Sequence, residues 1–147
     1  MRKLFILATF LLSLTIAFAG NDKITEDTSV LPTVSRQFLS RHFAKIPVSH
    51  IKIEKALMGI DSYDVILTDG TNVEFNRKGE WKEVKRHKTA IPAAIVPKSI
   101  REYVKKHYPS AVIIAIDKDS RNYEVDLNNK TELKFNLKGK LTDIDID

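Results

Sequence analysis

His42, His50, His87 and His107 are the only imidazoles of the chain, and it contains no cysteine. Histidine chemistry needs a second ligand at helical spacing or a nucleophile beside it, as HExxH and GxSxG patterns provide. Neither pattern occurs, nor does HxxxH or a Gly-rich loop for a phosphate or dinucleotide. His42 and His107 stand late in two helical patterns, where an imidazolium meets the negative end of a helix dipole. His87 lies in the basic run KEVKRHK, a solvated connector. Ser35, Ser40 and Ser99 take polar positions on helices rather than the place of a nucleophile. Without a thiol there is no disulfide and no thiolate metal site. No catalytic, cofactor-binding or metal-binding residue is assigned, and a non-enzymatic protein is expected.

Two charged patterns remain. The tail LTDIDID puts Asp143, Asp145 and Asp147 at period two, so on a strand their carboxylates share a face that could hold Ca²⁺. The spacing fits no known Ca²⁺ loop, and a solvated terminus explains it without a ligand. Basic residues cluster at Lys82, Lys85, Arg86 and Lys88, and again at Lys98, Arg101, Lys105 and Lys106. They suit an anionic surface, but read first as a connector and a solvated helix face. No aromatic residues alternate with them as a stacking platform requires, so nucleic acid is not an expected partner.

The elements that must position these groups begin after a leader. Arg2 and Lys3 precede an apolar run from Leu4 to Phe18, closed by Ala17-Phe18-Ala19. This is the pattern of a secretory signal peptide, expected at residues 1–19 with cleavage after Ala19. The apolar run is short for a membrane span, and no stable membrane insertion is expected after cleavage. The formal net charge of +5 falls to +3 once Arg2 and Lys3 leave. A cysteine-free exported chain fits a bacterial periplasm or cell surface. Residues 20–30 are polar and read as a flexible lead-in.

The remainder is written twice. LPTVSRQFLSRHF (Leu31 to Phe43) resembles VPKSIREYVKKHY (Val96 to Tyr108), and YDVILTDGTNVEFNRKGEW (Tyr63 to Trp81) resembles YEVDLNNKTELKFNLKGKL (Tyr123 to Leu141). The first pair reads as helices opened by Pro32 and Pro97. Val34, Phe38, Leu39 and Phe43 form the apolar stripe of one helix; Ile100, Tyr103 and Val104 form that of the other. Val48 to Met58 and Val112 to Asp117 read as strands, followed by turns at Gly59 to Ser62 and Lys118 to Asn122.

Parity fixes the hairpins. A two-residue loop at Asp69-Gly70 would split the apolar set between the two faces. A three-residue loop, Thr68 to Gly70, sets Val65 opposite Val73 and Tyr63 opposite Phe75, with Gly70 left-handed in a G1-type bulge. Its repeat sets Val125 opposite Leu133 and puts Lys130 in the left-handed place. Loops ending at Gly79 and Gly139 set Phe75 opposite Trp81 and Phe135 opposite Leu141. The expected fold is α+β, a tandem pseudo-repeat in which each unit is a helix packed on a small antiparallel sheet of about four strands. The units span residues 31–86 and 87–147. Trp81, Asp69 and Gly70 are the places where the copies differ, and Trp is a frequent interface anchor. They are the candidate partner contacts.

The order helix, YxVxL, polar turn, FN and KG, given twice, resembles the PepSY-like family, whose members are often labelled β-lactamase-inhibitor-like. Leu31-Pro32, Tyr63 to Leu67, Phe75 to Trp81, Ile95 to Pro109, Tyr123 to Leu127 and Phe135 to Gly139 carry the resemblance. It implies tandem α+β units, no established catalytic residues, and export by Bacteroides-type bacteria. The inhibitor behind the label carries disulfides, and this chain has no Cys. The function expected first is a periplasmic or cell-surface binding module that contacts a protein or peptide. Inhibition of an extracytoplasmic β-lactamase or protease is the alternative, and a small hydrolase or metal-dependent enzyme is the least supported.

Overall fold

Alternating apolar residues in hairpin-linked runs dictate a sheet with one buried face. The computed structural model describes residues 22–147; the expected leader, 1–19, lies outside them. The strands are β1 (Lys23–Thr25), β2 (Val48–Ala56), β3 (Gly59–Leu67), β4 (Asn72–Asn76), β5 (Trp81–Lys85), β6 (Ile113–Lys118), β7 (Asn122–Leu127), β8 (Thr131–Asn136) and β9 (Leu141–Ile146). Helix α1 (Thr33–Phe43) precedes β2, and α2 (Lys98–His107) lies between β5 and β6. All nine strands form one antiparallel sheet in chain order. The fold is α+β, and β5 pairs directly with β6 through Glu83↔Asp117, Val84↔Ile116 and Lys85↔Ala115.

The hairpin register follows the parity argument. Val65 faces Val73 and Tyr63 faces Phe75; Val125 faces Leu133 and Tyr123 faces Phe135. Gly70 has φ +84°, and Lys130 takes the same left-handed conformation at φ +67°. Phe75 faces Trp81 while Glu74 faces Glu83, so Lys82 is the extra residue of a bulge. Thr142 is the extra residue opposite Lys134 and Phe135 in the same way. These bulges put Trp81 and Val84, three positions apart, on one face.

Three elements differ from the sequence expectation. The lead-in carries β1, whose Thr25 and Lys23 register with Ile51 and Ile53. The turn expected at Gly59 to Ser62 lies earlier, at Leu57-Met58, because Ala56 pairs with Gly59. In α1, Val34 is 52% exposed and Ser35 is fully buried, so the stripe is Ser35, Phe38, Leu39 and Phe43. The reason is close packing: a Cβ on Gly79 would lie 2.6 Å from the Pro32 Cβ and 2.8 Å from the Ser35 hydroxyl. Only a small residue fits there, and Ser35 donates a hydrogen bond to the Gly79 carbonyl at 2.9 Å.

Both helices cover the same sheet face. Phe38 meets Phe75 edge-on at 5.6 Å, and Tyr103 meets Phe135 edge-on at 5.5 Å. The register runs the row Ile51, Val65, Val73, Val84, Ile116, Val125, Leu133 along the covered face. Each of these side chains is fully buried.

Candidate functional site: the helix-free face of the sheet

Residues one position along from that row point away from the helices. They read Lys52, Asp64, Glu74, Glu83, Asp117, Glu124, Lys134 and Asp143, each opposite the next. The middle of the row, from Asp64 to Glu124, is an unbroken run of half-buried carboxylates across β3 to β7. Directly opposed like charges destabilise a sheet, so this arrangement costs the fold stability.

Two of the carboxylates have lysine partners. Glu74 accepts from Lys82 at 3.3 Å, and Glu124 accepts from Lys134 at 3.0 Å. The others rise. Burial, then the charges of Asp117 and Glu74, push the Glu83 carboxyl up to about 7. Burial, then Glu124 and Glu74, push Asp117 up to about 6. Burial, then Glu74 and Glu54, push Asp64 up to about 6, with Lys52 opposing. A dent of about 20 Å³, room for a single water, opens among Glu83, Asp117, Glu124 and Asp126, with Lys85 and Ala115 also lining it. Among the described residues, no group of three or more His, Cys, Asp or Glu is arranged to hold a metal.

The expected tail and histidines fall as follows. Asp143 and Asp145 share the helix-free face, opposite Lys134 and Glu132, while the Asp147 amide donates to the Lys130 carbonyl at 3.3 Å. His42 packs against Phe38 at 4.6 Å, and burial followed by Arg41 lowers its pKa. The dipole argument for a charged His42 is thereby outweighed.

Trp81 is half-buried at the end of β5. Its ring stacks on Phe38 at 6.1 Å, and the Lys118 ammonium lies 4.9 Å from its centroid. It lines a cleft of about 540 Å³ with Asp61, Asn76, Glu80, Lys118 and Asp119. Asp69 and Gly70 lie at the opposite end of β4. Asp69 binds Arg86 at 2.8 Å and accepts from the Thr71 amide at 2.9 Å, and a Cβ on Gly70 would sit 3.4 Å from the His87 ring. The structure therefore ties Asp69-Gly70 to the connector and does not bring it to Trp81. Beyond the Trp81 end, the β2–β3 turn carries Leu57 and Met58, 102% and 90% exposed.

Sequence reasoning missed the carboxylate row. The signal was present: the register that pairs Val65 with Val73 also pairs Asp64 with Glu74.

A family model described as "Putative beta-lactamase-inhibitor-like, PepSY-like" matches residues 61–143. The chain belongs to the PepSY-like family. None of the curated proteins matches it. Three solved structures share the fold over most of the chain. A "putative calcium-regulated periplasmic protein" of Bacteroides thetaiotaomicron is 43% identical, with 84% of this chain and 96% of that one covered at TM-score 0.80. A "putative periplasmic protein of unknown function" of Bacteroides vulgatus is 35% identical, with 84% and 98% covered at TM-score 0.80. A second Bacteroides vulgatus periplasmic protein is 38% identical, with 86% and 98% covered at TM-score 0.80. These relatives support a periplasmic or extracellular location for the PepSY-like chain. The β-lactamase-inhibitor-like, PepSY-like family assignment supports a non-enzymatic protein. Among the described residues no helix is long and apolar enough to cross a membrane.

Proposed function

We propose that the protein is an exported, non-enzymatic binding module whose helix-free sheet face takes a cationic segment of an envelope protein or peptide. Cleavage after Ala19 would release it from its leader. The two units, 31–86 and 87–147, are read as copies of one building block fused edge to edge. The observation that carries the proposal is the carboxylate row from Asp64 to Glu124. The apolar row opposite builds the core, but nothing in the core needs an acidic row. The row lowers stability, and a cationic partner that relieved its repulsion would recover that energy on binding. Trp81, on the helix-covered side at one end of the sheet, and the exposed Leu57-Met58 turn beyond it would add apolar contacts where a partner wraps around that end. Asp69 and Gly70, tied to Arg86 and His87, would act by shaping the far end.

A photo-crosslinking residue placed at Glu83 tests this in the periplasm, with one on the solvent face of α2 at Lys105 as control. A discrete adduct from Glu83 alone is expected. No adduct from either position, or the same adduct from both, would overturn the proposal. If the captured partner is a β-lactamase or protease, inhibition at micromolar protein decides the inhibitor alternative.

The B. thetaiotaomicron relative's description as calcium-regulated favours a second reading, in which Ca²⁺ neutralises the row at Glu83 and Asp117. Calorimetric titration with calcium chloride separates the two. Heat that disappears in a Glu83→Gln, Asp117→Asn variant supports calcium; a flat titration leaves the row to a cationic partner.

A further inference from the structure

Among the described residues, β9 closes one end of the sheet and pairs only with β8. Its outer row of backbone groups faces no other strand, although the Ile144 amide donates to the Asp143 carboxylate at 3.0 Å, a contact that an added strand would replace. Most proteins blunt such an edge with Lys, Pro or a very short strand. The opposite edge, β1, is three residues long and carries Lys23. β9 has six residues, LTDIDI, with no Lys and no Pro, and its bulge at Thr142 lies at the start of the strand, leaving Asp143 to Ile146 in regular register. Ile144 and Ile146 are 42% and 68% exposed on the helix-covered face, where Ile144 continues the buried row beyond Leu133. Asp143 and Asp145 point to the other face. Lys134 is opposite Asp143, but its ammonium is held by Glu124 at 3.0 Å.

Parity favours a cationic segment over a second copy of the chain on this edge. Two β9 strands in one continuous sheet would set aspartate against aspartate. Pairing β9 with β1 would set Ile24, on the helix-free face opposite Lys52, against aspartate, and Lys23 against isoleucine. We infer that β9 is a docking edge for an extended peptide segment of a partner protein in which Lys or Arg alternates with apolar residues. The segment adds a tenth strand to the sheet. Its backbone supplies main-chain hydrogen bonds, its cations meet Asp143 and Asp145, and its apolar side chains cover Ile144 and Ile146. This edge is separate from the central carboxylate row, and either can fail without the other.

The test uses the leaderless protein and a fluorescein-labelled peptide, Lys-Val-Lys-Val-Lys-Val-Lys, followed by anisotropy and by amide hydrogen exchange. Exchange should slow across Leu141–Ile146 on peptide addition. A peptide with alternate amides N-methylated keeps the charge and loses the edge bonds, so it should bind at least about tenfold more weakly. The Asp143→Lys, Asp145→Lys variant, checked for fold by circular dichroism, should reject the Lys-Val peptide and accept Glu-Val-Glu-Val-Glu-Val-Glu. Lys105→Gln, on the solvent face of α2, should leave edge binding unchanged. No binding, equal binding of the N-methylated peptide, or unchanged exchange in β9 would each overturn the inference. So would slowing of β9 exchange by dimerisation of the protein alone.

Discussion

Glu83 of β5 stands directly opposite Asp117 of β6, at the three-pair seam where the strands before α2 meet those after it. Val84 and Ile116 hold the seam on one face while two half-buried carboxyls repel on the other. The sheet is joined by its core and strained by its surface at the same place.

That strain makes stability depend on pH in an unusual direction. Glu83 is raised to about 7, Asp64 and Asp117 to about 6. The folded state therefore holds protons that the unfolded state has released, across the interval from about pH 4 to about pH 7. Stability should be greatest at the acidic end of that window and should fall as pH rises through it. Glu83→Gln should stabilise the protein on the order of 1–2 kcal/mol at neutral pH and flatten the slope. Urea unfolding at several pH values measures this; a wild-type stability that rises between pH 5 and pH 7 would contradict the row's electrostatics.

Gly79 has φ +87° and is packed against Pro32 and Ser35. Gly79→Ala should cost on the order of 2–4 kcal/mol, from left-handed strain plus overpacking. Gly59 at φ +111° has nothing within 4 Å of its would-be Cβ, so Gly59→Ala should cost only about 1 kcal/mol. Comparing denaturation midpoints separates packing from backbone strain.

Ser35→Ala should cost about 1 kcal/mol, since it leaves the buried Gly79 carbonyl without its donor. Loss of stability no larger than that of an exposed change such as Ser40→Ala would show that water replaces the hydroxyl.

Trp81→Ala removes the stack on Phe38 and the ring beneath Lys118. It should destabilise by about 3 kcal/mol, and Trp81→Leu by less. Because Trp81 is the only tryptophan, circular dichroism rather than fluorescence must follow these variants. In the wild type its emission reports directly on anything that enters the cleft.

Leu57→Ser and Met58→Ser remove apolar side chains that contribute nothing to the core. Their effect on stability should stay within about 0.5 kcal/mol. A fall in partner crosslinking from Glu83 without any change in unfolding would assign the turn to recognition; an equal fall in stability would assign it to the fold.

Much of this fold was legible because hairpin parity is a strict constraint. A one-residue slip would have put Tyr63 and Phe75 on opposite faces, so the loops at Gly70 and Gly79 followed from the letters alone. The phase of α1 was not legible, because Ser35 is inside for the sake of Gly79, more than forty residues away in sequence. The join between β5 and β6 was also hidden, since alternation within a strand says nothing about which strand lies beside it. That join explains the contrast between Trp81 and Leu141. Trp81 has β6 and Lys118 beside it, whereas Leu141 lies on the free edge. The carboxylate row escaped notice because its members come one from each strand, so only the cross-strand register assembles them.

The strand order also bears on how the chain acquires its shape. Every strand pairs with its predecessor in the sequence, from β1 to β9, apart from the two helical insertions. No strand has to wait for a distant partner, so loop closure is cheap at every step but two. A chain delivered from its N-terminus through a narrow pore could thus be laid down strand by strand as it emerges, each new edge serving as template for the next.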